Sequence, residues 1–165
     1  MKSRYIMPLK RRRLKKTDYR KRLALIKSGM PRAVIRKSLK NMRVDIAEYQ
    51  ANGDRVLTHS STMELRKFGW KGPTGNTPAS YLAGYLAGLR AKKKGIKKVV
   101  ADLGRQKVIK GGKLMASIHG IVDAGVKVPA DKKFFPPKDR IAGKHLKTVP
   151  EKAVDEVKKA MEESL

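Results

Sequence analysis

The hydrophobic and polar positions of this chain predict a small sheet followed by helices. Three short segments, 32–37, 44–49 and 55–60, have the β-branched, apolar composition of strands. The pair Asn52-Gly53 lies between the second and third segments and favours the positive φ of a tight hairpin turn. The three segments therefore predict an antiparallel meander.

A change of periodicity after the meander predicts the longest helix. Thr77 is its expected N-cap and Pro78 its first helical residue, and the helix stops at Gly95. Its apolar stripe is formed by Leu82, Tyr85, Leu86 and Leu89. Gly84 and Gly88 lie one turn apart, and such small residues would let the helix lie close against a sheet.

Four further elements complete the predicted domain. Residues 96–103 are apolar enough for a buried strand, and a strand after a helix usually completes a parallel, right-handed crossover. A second main helix is expected over 113–124, with shorter helices over 61–68 and from an N-cap at Thr17 to Gly29. The predicted fold class is α/β in the α+β sense: a mostly antiparallel sheet of about four strands with two main helices packed on it.

The ends of the chain differ in composition from the domain between them. We predict a basic arm with a short helix over 1–30, an α/β domain over 31–126, an extended tail over 127–149 and an acidic helix over 150–165. Residues 1–16 have no hydrophobic periodicity and should stay extended or disordered until a partner orders them. The division follows the shifts in charge and periodicity.

The C-terminal segments carry their own signals. The paired aromatics of Phe134-Phe135-Pro136-Pro137 are expected to pin the tail to the domain or to a partner. The last helix should begin at a capping box of Thr148 and Glu151. Its apolar side is formed by Val154, Val157, Met161 and Leu165. Acids outnumber bases five to three there, so this end should not lie on RNA.

Charge is concentrated at the beginning of the chain. Met1 to Arg43 holds 17 Lys or Arg residues against one acid, Asp18, which gives +16 of the formal net charge of +27. Such crowded like charges destabilise a free chain unless a polyanion neutralises them, and nucleic acid is the polyanion that fits. A solvated charged face or a localisation signal is the alternative for any shorter run.

Composition excludes several classes of function. The chain has no cysteine, which removes disulfides, Cys-based zinc sites and thiol catalysis. The three histidines have no carboxylate at ligand spacing, so we expect no metal, no cofactor and no small-molecule substrate. The start turns basic before any apolar run, and the run Pro78 to Leu89 is too short to span a bilayer. We therefore expect a soluble, intracellular protein with no membrane partner.

One glycine-rich loop, Gly69 to Asn76, precedes the longest helix. It is not a nucleotide P-loop, because no Gly-Lys-Ser/Thr sequence closes it. Its backbone N–H groups and the positive helix end could hold one phosphate of a nucleic-acid backbone, flanked by Lys67, Trp70 and Lys71. Ordinary helix capping explains the same pattern, and the sequence leaves both interpretations open.

Three segments resemble a known family. They are Thr17-Asp18-Tyr19-Arg20-Lys21-Arg22-Leu23, Pro31 to Ser38, and above all Gly69-Trp70-Lys71-Gly72-Pro73-Thr74-Gly75-Asn76-Thr77-Pro78-Ala79-Ser80-Tyr81-Leu82. Together they are similar to the ribosomal protein family L eighteen, and Phe134 to His145 resembles its archaeal branch. The resemblance covers about residues 10–147. Leu39-Lys40-Asn41 departs from the family's usual order.

The resemblance implies a structural, non-enzymatic protein of the large ribosomal subunit in the cytoplasm. It would bind 5S rRNA at the central protuberance and contact large-subunit rRNA and neighbouring ribosomal proteins. The expected RNA-binding residues are Arg11, Arg12, Arg13, Lys15, Lys16, Tyr19, Arg20, Lys21, Arg22, Arg32, Arg36, Lys37, Lys40, Lys67, Trp70, Lys71, Thr74, Gly75, Asn76 and Thr77. A chromatin-type, DNA-compacting protein is the first alternative and an RNA-processing enzyme the second.

Overall fold

A four-stranded sheet and two long helices form the centre of the molecule. The computed structural model describes residues 6–146, 150 and 153–164. The strands are β1 (Arg32–Lys37), β2 (Met42–Glu48), β3 (Arg55–Ser61) and β4 (Val100–Asp102). The helices are α1 (Lys10–Arg13), α2 (Tyr19–Lys27), α3 (Thr77–Lys93), α4 (Lys113–Asp123), α5 (Lys138–Ala142) and α6 (Ala153–Glu163), with 3₁₀ turns at Glu64–Phe68 and Lys132–Phe134. The predicted fold class is confirmed.

The sheet has the order β3-β2-β1-β4. Strands β1, β2 and β3 pair antiparallel, as the meander predicted, and β4 pairs parallel to β1. The parallel strand predicted within 96–103 is confirmed as β4, but it is shorter than predicted. Val100, Ala101 and Asp102 pair with β1, and Lys98 forms an isolated parallel bridge with Lys127. Val100 and Ala101 are half-buried, because β4 lies at the sheet edge.

Helices α3 and α4 pack on the same side of the sheet and on each other. Their buried residues Ala83, Ala87, Leu114, Ile118 and Ile121 share one core cluster with Ile35, Val44 and Ile46 of the strands. The sequence suggested that Gly84 and Gly88 of α3 would face the sheet, but both face the α4 segment. A Cβ atom on Gly88 would lie 2.6 Å from the Cβ of Ala124, so the glycines bring α3 close to α4.

Two helix starts differ from prediction by one residue. Asp18, not Thr17, caps α2, because its side chain accepts hydrogen bonds from the backbone N–H groups of Arg20 and Lys21. Asn76, not Thr77, caps α3, and its side chain accepts a hydrogen bond from Ala79 N–H. In both cases the carboxylate or amide is placed to satisfy the first free donors of the helix.

The segment after α4 folds back over the helices. Two short helical pieces, at Lys132–Phe134 and α5, interrupt the predicted extended tail. Phe135 stacks on His119 with ring centroids 4.7 Å apart, which pins the tail to α4. The division of the chain into four parts stays a prediction.

Helix α6 covers the outer side of α3. Val154, Val157 and Met161 are buried in a second core cluster with Leu82 and Leu86. These three residues confirm the predicted apolar side. Leu165 and the capping box of Thr148 and Glu151 lie outside the described residues.

Polar contacts fix the side of α3 that α6 covers. Tyr85 donates a hydrogen bond to Glu162, and Lys158 Nζ lies 4.7 Å from the ring centroid of Tyr81. Burial and the hydrogen bond to Glu162 raise the pKa of Tyr85 to about 12. Burial and a 2.6 Å hydrogen bond to Asp123 raise the pKa of Tyr81. Both phenols therefore remain donors across the physiological range.

Candidate nucleic-acid interface

The N-terminal arm contains an ordered, wholly basic turn. Helix α1 consists of Lys10, Arg11, Arg12 and Arg13, and none of the four is buried. The expectation that residues 1–16 lack structure was wrong for this turn, while residues 1–5 lie outside the described part of the chain. Helix α2 follows and keeps Tyr19, Arg20 and Lys21 exposed. The arm thus displays its cations on helical surfaces.

A chain of ion pairs attaches α2 to the sheet. Arg22 Nη2 lies 2.9 Å from Asp54 Oδ2, and Arg32 Nη2 lies 2.7 Å from the same oxygen. Arg32 also contacts Asp102 at 3.1 Å, and Asp102 in turn contacts Arg36 at 2.9 Å. The network therefore connects α2, the turn before β3, β1 and β4.

The network changes the ionisation of Asp54. Burial alone would raise the pKa of this carboxyl, but the hydrogen bonds and charges of Arg32 and Arg22 outweigh it and hold the pKa below the usual 3.8. Asp54 is therefore ionised at neutral pH. Arg32 is 1% exposed and surrounded by these acids, so it cannot reach a phosphate, and its predicted RNA contact is corrected to a structural role.

A basic cleft of about 710 Å³ lies between the arm and the sheet edge. Its lining includes six cations: Arg11, Lys16, Lys21, Arg22, Arg36 and Arg105. The two acids in the lining are already engaged, since Asp18 caps α2 and Asp102 is paired with Arg32 and Arg36. The cleft therefore presents surplus positive charge to solvent.

The glycine-rich loop is packed against the β1–β2 hairpin. Thr74 Oγ1 lies 2.9 Å from the carbonyl oxygen of Lys40, to which it donates. A Cβ atom on Gly75 would come within 3.0 Å of that same oxygen. Trp70 is 2% exposed, and its Nε1 donates to Pro73. The loop is thus folded against the hairpin, and its aromatic side chain belongs to the core.

These contacts favour the capping interpretation of the loop. Asn76 occupies the Ala79 N–H, and Pro78 has no N–H to offer, so few donors of the first turn remain for a phosphate. Thr77 is buried as well. We therefore assign no phosphate to this helix end and no RNA contact to the buried Trp70 and Thr77.

The chain matches a family model described as ribosomal large-subunit proteins 60S L5 and 50S L18 over residues 3–98. This is more than half of its length. The chain belongs to that family. Similar proteins include large ribosomal subunit protein uL18 of Korarchaeum cryptofilum, 42% identical over 93% of this chain and 78% of the relative.

Two further relatives have the same name. The protein of Aeropyrum pernix is 44% identical over 87% of this chain and 67% of its own length. That of Caldivirga maquilingensis is 46% identical over 87% of this chain and 70% of its own length. Membership of the L5/L18 family confirms the archaeal-type resemblance and makes the chain a non-enzymatic structural protein of the large ribosomal subunit, a cytoplasmic particle.

The remaining residues predicted for RNA binding fall into two exposed groups. The arm carries Arg11, Arg12, Arg13, Lys15, Lys16, Tyr19, Arg20 and Lys21. The β1–β2 hairpin carries Lys37 and Lys40, the 3₁₀ turn at Glu64–Phe68 carries Lys67, and the glycine-rich loop carries Lys71. Arg22 and Arg36 are half-buried in the ion-pair network. Thr74, Gly75 and Asn76 are half-buried in the glycine-rich loop.

Sequence reasoning on the L5/L18 chain missed one wall of the cleft. Arg105 lines it from the loop after β4, and the same loop exposes Lys107 and Lys110. The loop's basic sequence was the available signal, but only the fold brings it opposite α2.

In the part of the chain that the structure describes, no group of three acidic or histidine side chains could hold a metal ion. No described helix is long and apolar enough to cross a membrane.

Proposed function

We propose that this protein binds 5S rRNA and attaches it to the central protuberance of the large ribosomal subunit. The observation that carries the proposal is the state of the arm's cations. Arg12, Arg13, Lys15 and Lys21 are exposed, and no carboxylate of the described chain pairs with them. The sheet-side arginines, in contrast, are neutralised by Asp54 and Asp102.

The two sets of cations therefore have different roles. Arginine and lysine without a carboxylate partner can neutralise phosphates, and the release of counterions that follows supplies binding free energy. Tyr19 is 39% exposed on α2, where its ring is accessible for stacking on an unpaired base. Lys37, Lys40, Lys67 and Lys71 are exposed outside the arm, and we assign them to contacts with large-subunit rRNA and neighbouring ribosomal proteins.

A competition assay tests the proposal. Labelled 5S rRNA bound to the full chain is challenged with unlabelled 5S rRNA or with duplex DNA of equal length at physiological salt. We expect 5S rRNA to compete far better, because RNA recognition depends on shape, unstacked bases and 2′-hydroxyls as well as charge. Equal competition by the DNA would instead support a general nucleic-acid-compacting protein.

A further inference from the structure

We propose that the loop 103–112 and helix α2 are the two walls of one RNA site, in which a single strand of 5S rRNA lies along the basic cleft. The inference rests on the proposed function and adds the loop to it. The arm would contact the sugar-phosphate backbone from one side, and Arg105, Lys107 and Lys110 from the other.

The loop is held in place before any ligand arrives. Gln106 Nε2 donates to the carbonyl oxygens of Ile35 at 2.8 Å and Leu103 at 3.1 Å. Its Oε1 accepts from the backbone N–H of Lys37 at 3.0 Å. At the far end, Gly111 N–H donates to the carbonyl of Phe134 at 2.9 Å. A loop fixed at both ends loses little conformational entropy on binding.

The turn into the loop depends on Gly104. Its φ is +59°, and its N–H donates to Asp102 Oδ1 at 2.9 Å. A Cβ atom here would lie 3.2 Å from the guanidinium of Arg36. The ion pair between Arg36 and Asp102 therefore sets the direction in which the loop leaves β4, and with it the position of Arg105 in the cleft.

The cations of both walls are available to an anion. Arg105, Lys107 and Lys110 are exposed and pair with no carboxylate of residues 6–146, 150 and 153–164. Lys16 and Lys21, across the cleft, also lack such a partner within those residues. Cations that line one cleft, here Lys16, Lys21 and Arg105, repel each other, and a phosphate backbone between them removes that repulsion.

The tip of the loop indicates RNA rather than a protein partner. Val108 and Ile109 are 42% and 58% exposed, between Lys107 and Lys110. Protein interfaces are depleted in lysine, whereas a nucleic-acid strand offers phosphates to the cations and sugar and base faces to the apolar residues.

A charge-removal pair tests the loop. The triple variant Arg105→Gln, Lys107→Gln, Lys110→Gln is compared with Lys97→Gln, Lys98→Gln, Lys127→Gln, which removes three exposed charges at the opposite end of β4. At about 0.15 M salt we expect the loop variant to bind a 5S rRNA transcript roughly tenfold to hundredfold more weakly, and the control to lose far less. Equal losses of affinity in the two variants would show that the loop acts only through the overall charge of the protein, and would overturn the inference.

A proximity assay tests whether both walls touch the same strand. The chain has no cysteine, so single-cysteine variants Ala24→Cys on α2 and Val108→Cys on the loop can each carry an iron chelate that generates hydroxyl radicals. We expect both probes to cleave one shared stretch of 5S rRNA. Cleavage at separate stretches, or none from the loop probe, would contradict the two-walled site.

The controls separate this inference from the proposed function. If the unmodified chain fails to bind 5S rRNA specifically, both proposals fail together. If it binds while the loop variant binds equally well, the arm remains the RNA-binding element and only the loop is excluded. Thermal unfolding of the loop variant confirms that a loss of affinity comes from the binding surface.

Discussion

Gly84 of α3 faces Ser117 of α4 so closely that a Cβ atom on the glycine would lie 2.0 Å from the Ser117 carbonyl oxygen. The contact is reciprocal, since a Cβ on Gly120 of α4 would lie 2.2 Å from the carbonyl oxygen of Tyr81. Both obstacles are backbone atoms, which cannot rotate away as a side chain can. The two glycines therefore set the distance between the long helices.

The first prediction concerns Gly84→Ala. At an open helix position this change stabilises by about 1 kcal/mol, but here we expect it to lower the free energy of unfolding by about 1–3 kcal/mol or more, because the helices must move apart. Urea denaturation measures the change. Lys92→Ala, at an exposed position of the same helix, should stay within about 0.5 kcal/mol of wild type. A Gly84 variant as stable as wild type would show that the helices separate without cost.

The second prediction uses the lowered pKa of Asp54. A carboxyl with a depressed folded pKa contributes stability above its unfolded pKa, here 3.8, and loses it as the pH falls through the folded value. The difference in free energy of unfolding between wild type and Asp54→Asn should therefore be constant near neutrality. It should shrink below about pH 4.

An exposed ion pair provides the control for Asp54. Asp139 is 74% exposed at its side chain and lies 2.9 Å from Lys144 Nζ. Because such pairs contribute little, Asp139→Asn should change stability by at most about 1 kcal/mol at any pH. If Asp54→Asn behaves in the same way, the link between α2 and β1 does not stabilise the fold.

The third prediction separates α6 from RNA binding. Val157 is 2% exposed against α3, so Val157→Ala should cost about 2 kcal/mol of stability. None of the residues lining the basic cleft belongs to α6, so 5S rRNA affinity should not change. Glu156→Ala, on the exposed side of α6, should affect neither property. Weaker RNA binding by folded Val157→Ala would place the acidic helix in the interface.

The fourth prediction concerns the glycine-rich loop, Gly69 to Asn76. Gly75→Val should lower the melting temperature, because a Cβ atom there lies 3.0 Å from the Lys40 carbonyl oxygen. Lys71→Ala should leave the melting temperature unchanged. Whenever it is folded, the Gly75 variant should bind 5S rRNA normally. A variant that is stable but binds weakly would restore the phosphate site at the start of α3.

Local signals predicted most of the fold. The bounds of β1 were predicted to the residue, and the glycine stops of the helices and the apolar side of α6 follow from turn chemistry and periodicity. The hairpin between β2 and β3 was also predicted, but residues 49–54 connect the strands instead of a tight turn, and of the pair Asn52-Gly53 only Gly53 has a positive φ. The element that packs against the glycines of α3 was not predicted. Gly84 and Gly88 indicate a close approach, but the sequence does not say whether a sheet or a second helix approaches.

The candidate site was only partly predictable for the same reason. Net charge correctly indicated that the arm is a basic surface. It could not distinguish Arg32 from its exposed neighbours, because all of them lie in the same basic stretch of sequence. Only the fold brings Asp54 and Asp102 to its guanidinium and removes it from solvent. Similarly, Trp70 lies in a basic, glycine-rich stretch typical of a binding loop, and tertiary packing places it in the core.

The salt dependence of 5S rRNA binding tests the central claim most directly. For the full chain, with roughly 8 phosphates neutralised, the slope of log affinity against log salt should be about −6 to −7. Deleting residues 1–16 should leave cooperative unfolding intact, because α1 has no buried residue, and should make the slope several units shallower. A slope near −1 for the full chain, or an unchanged slope after the deletion, would contradict the assignment of the arm to RNA.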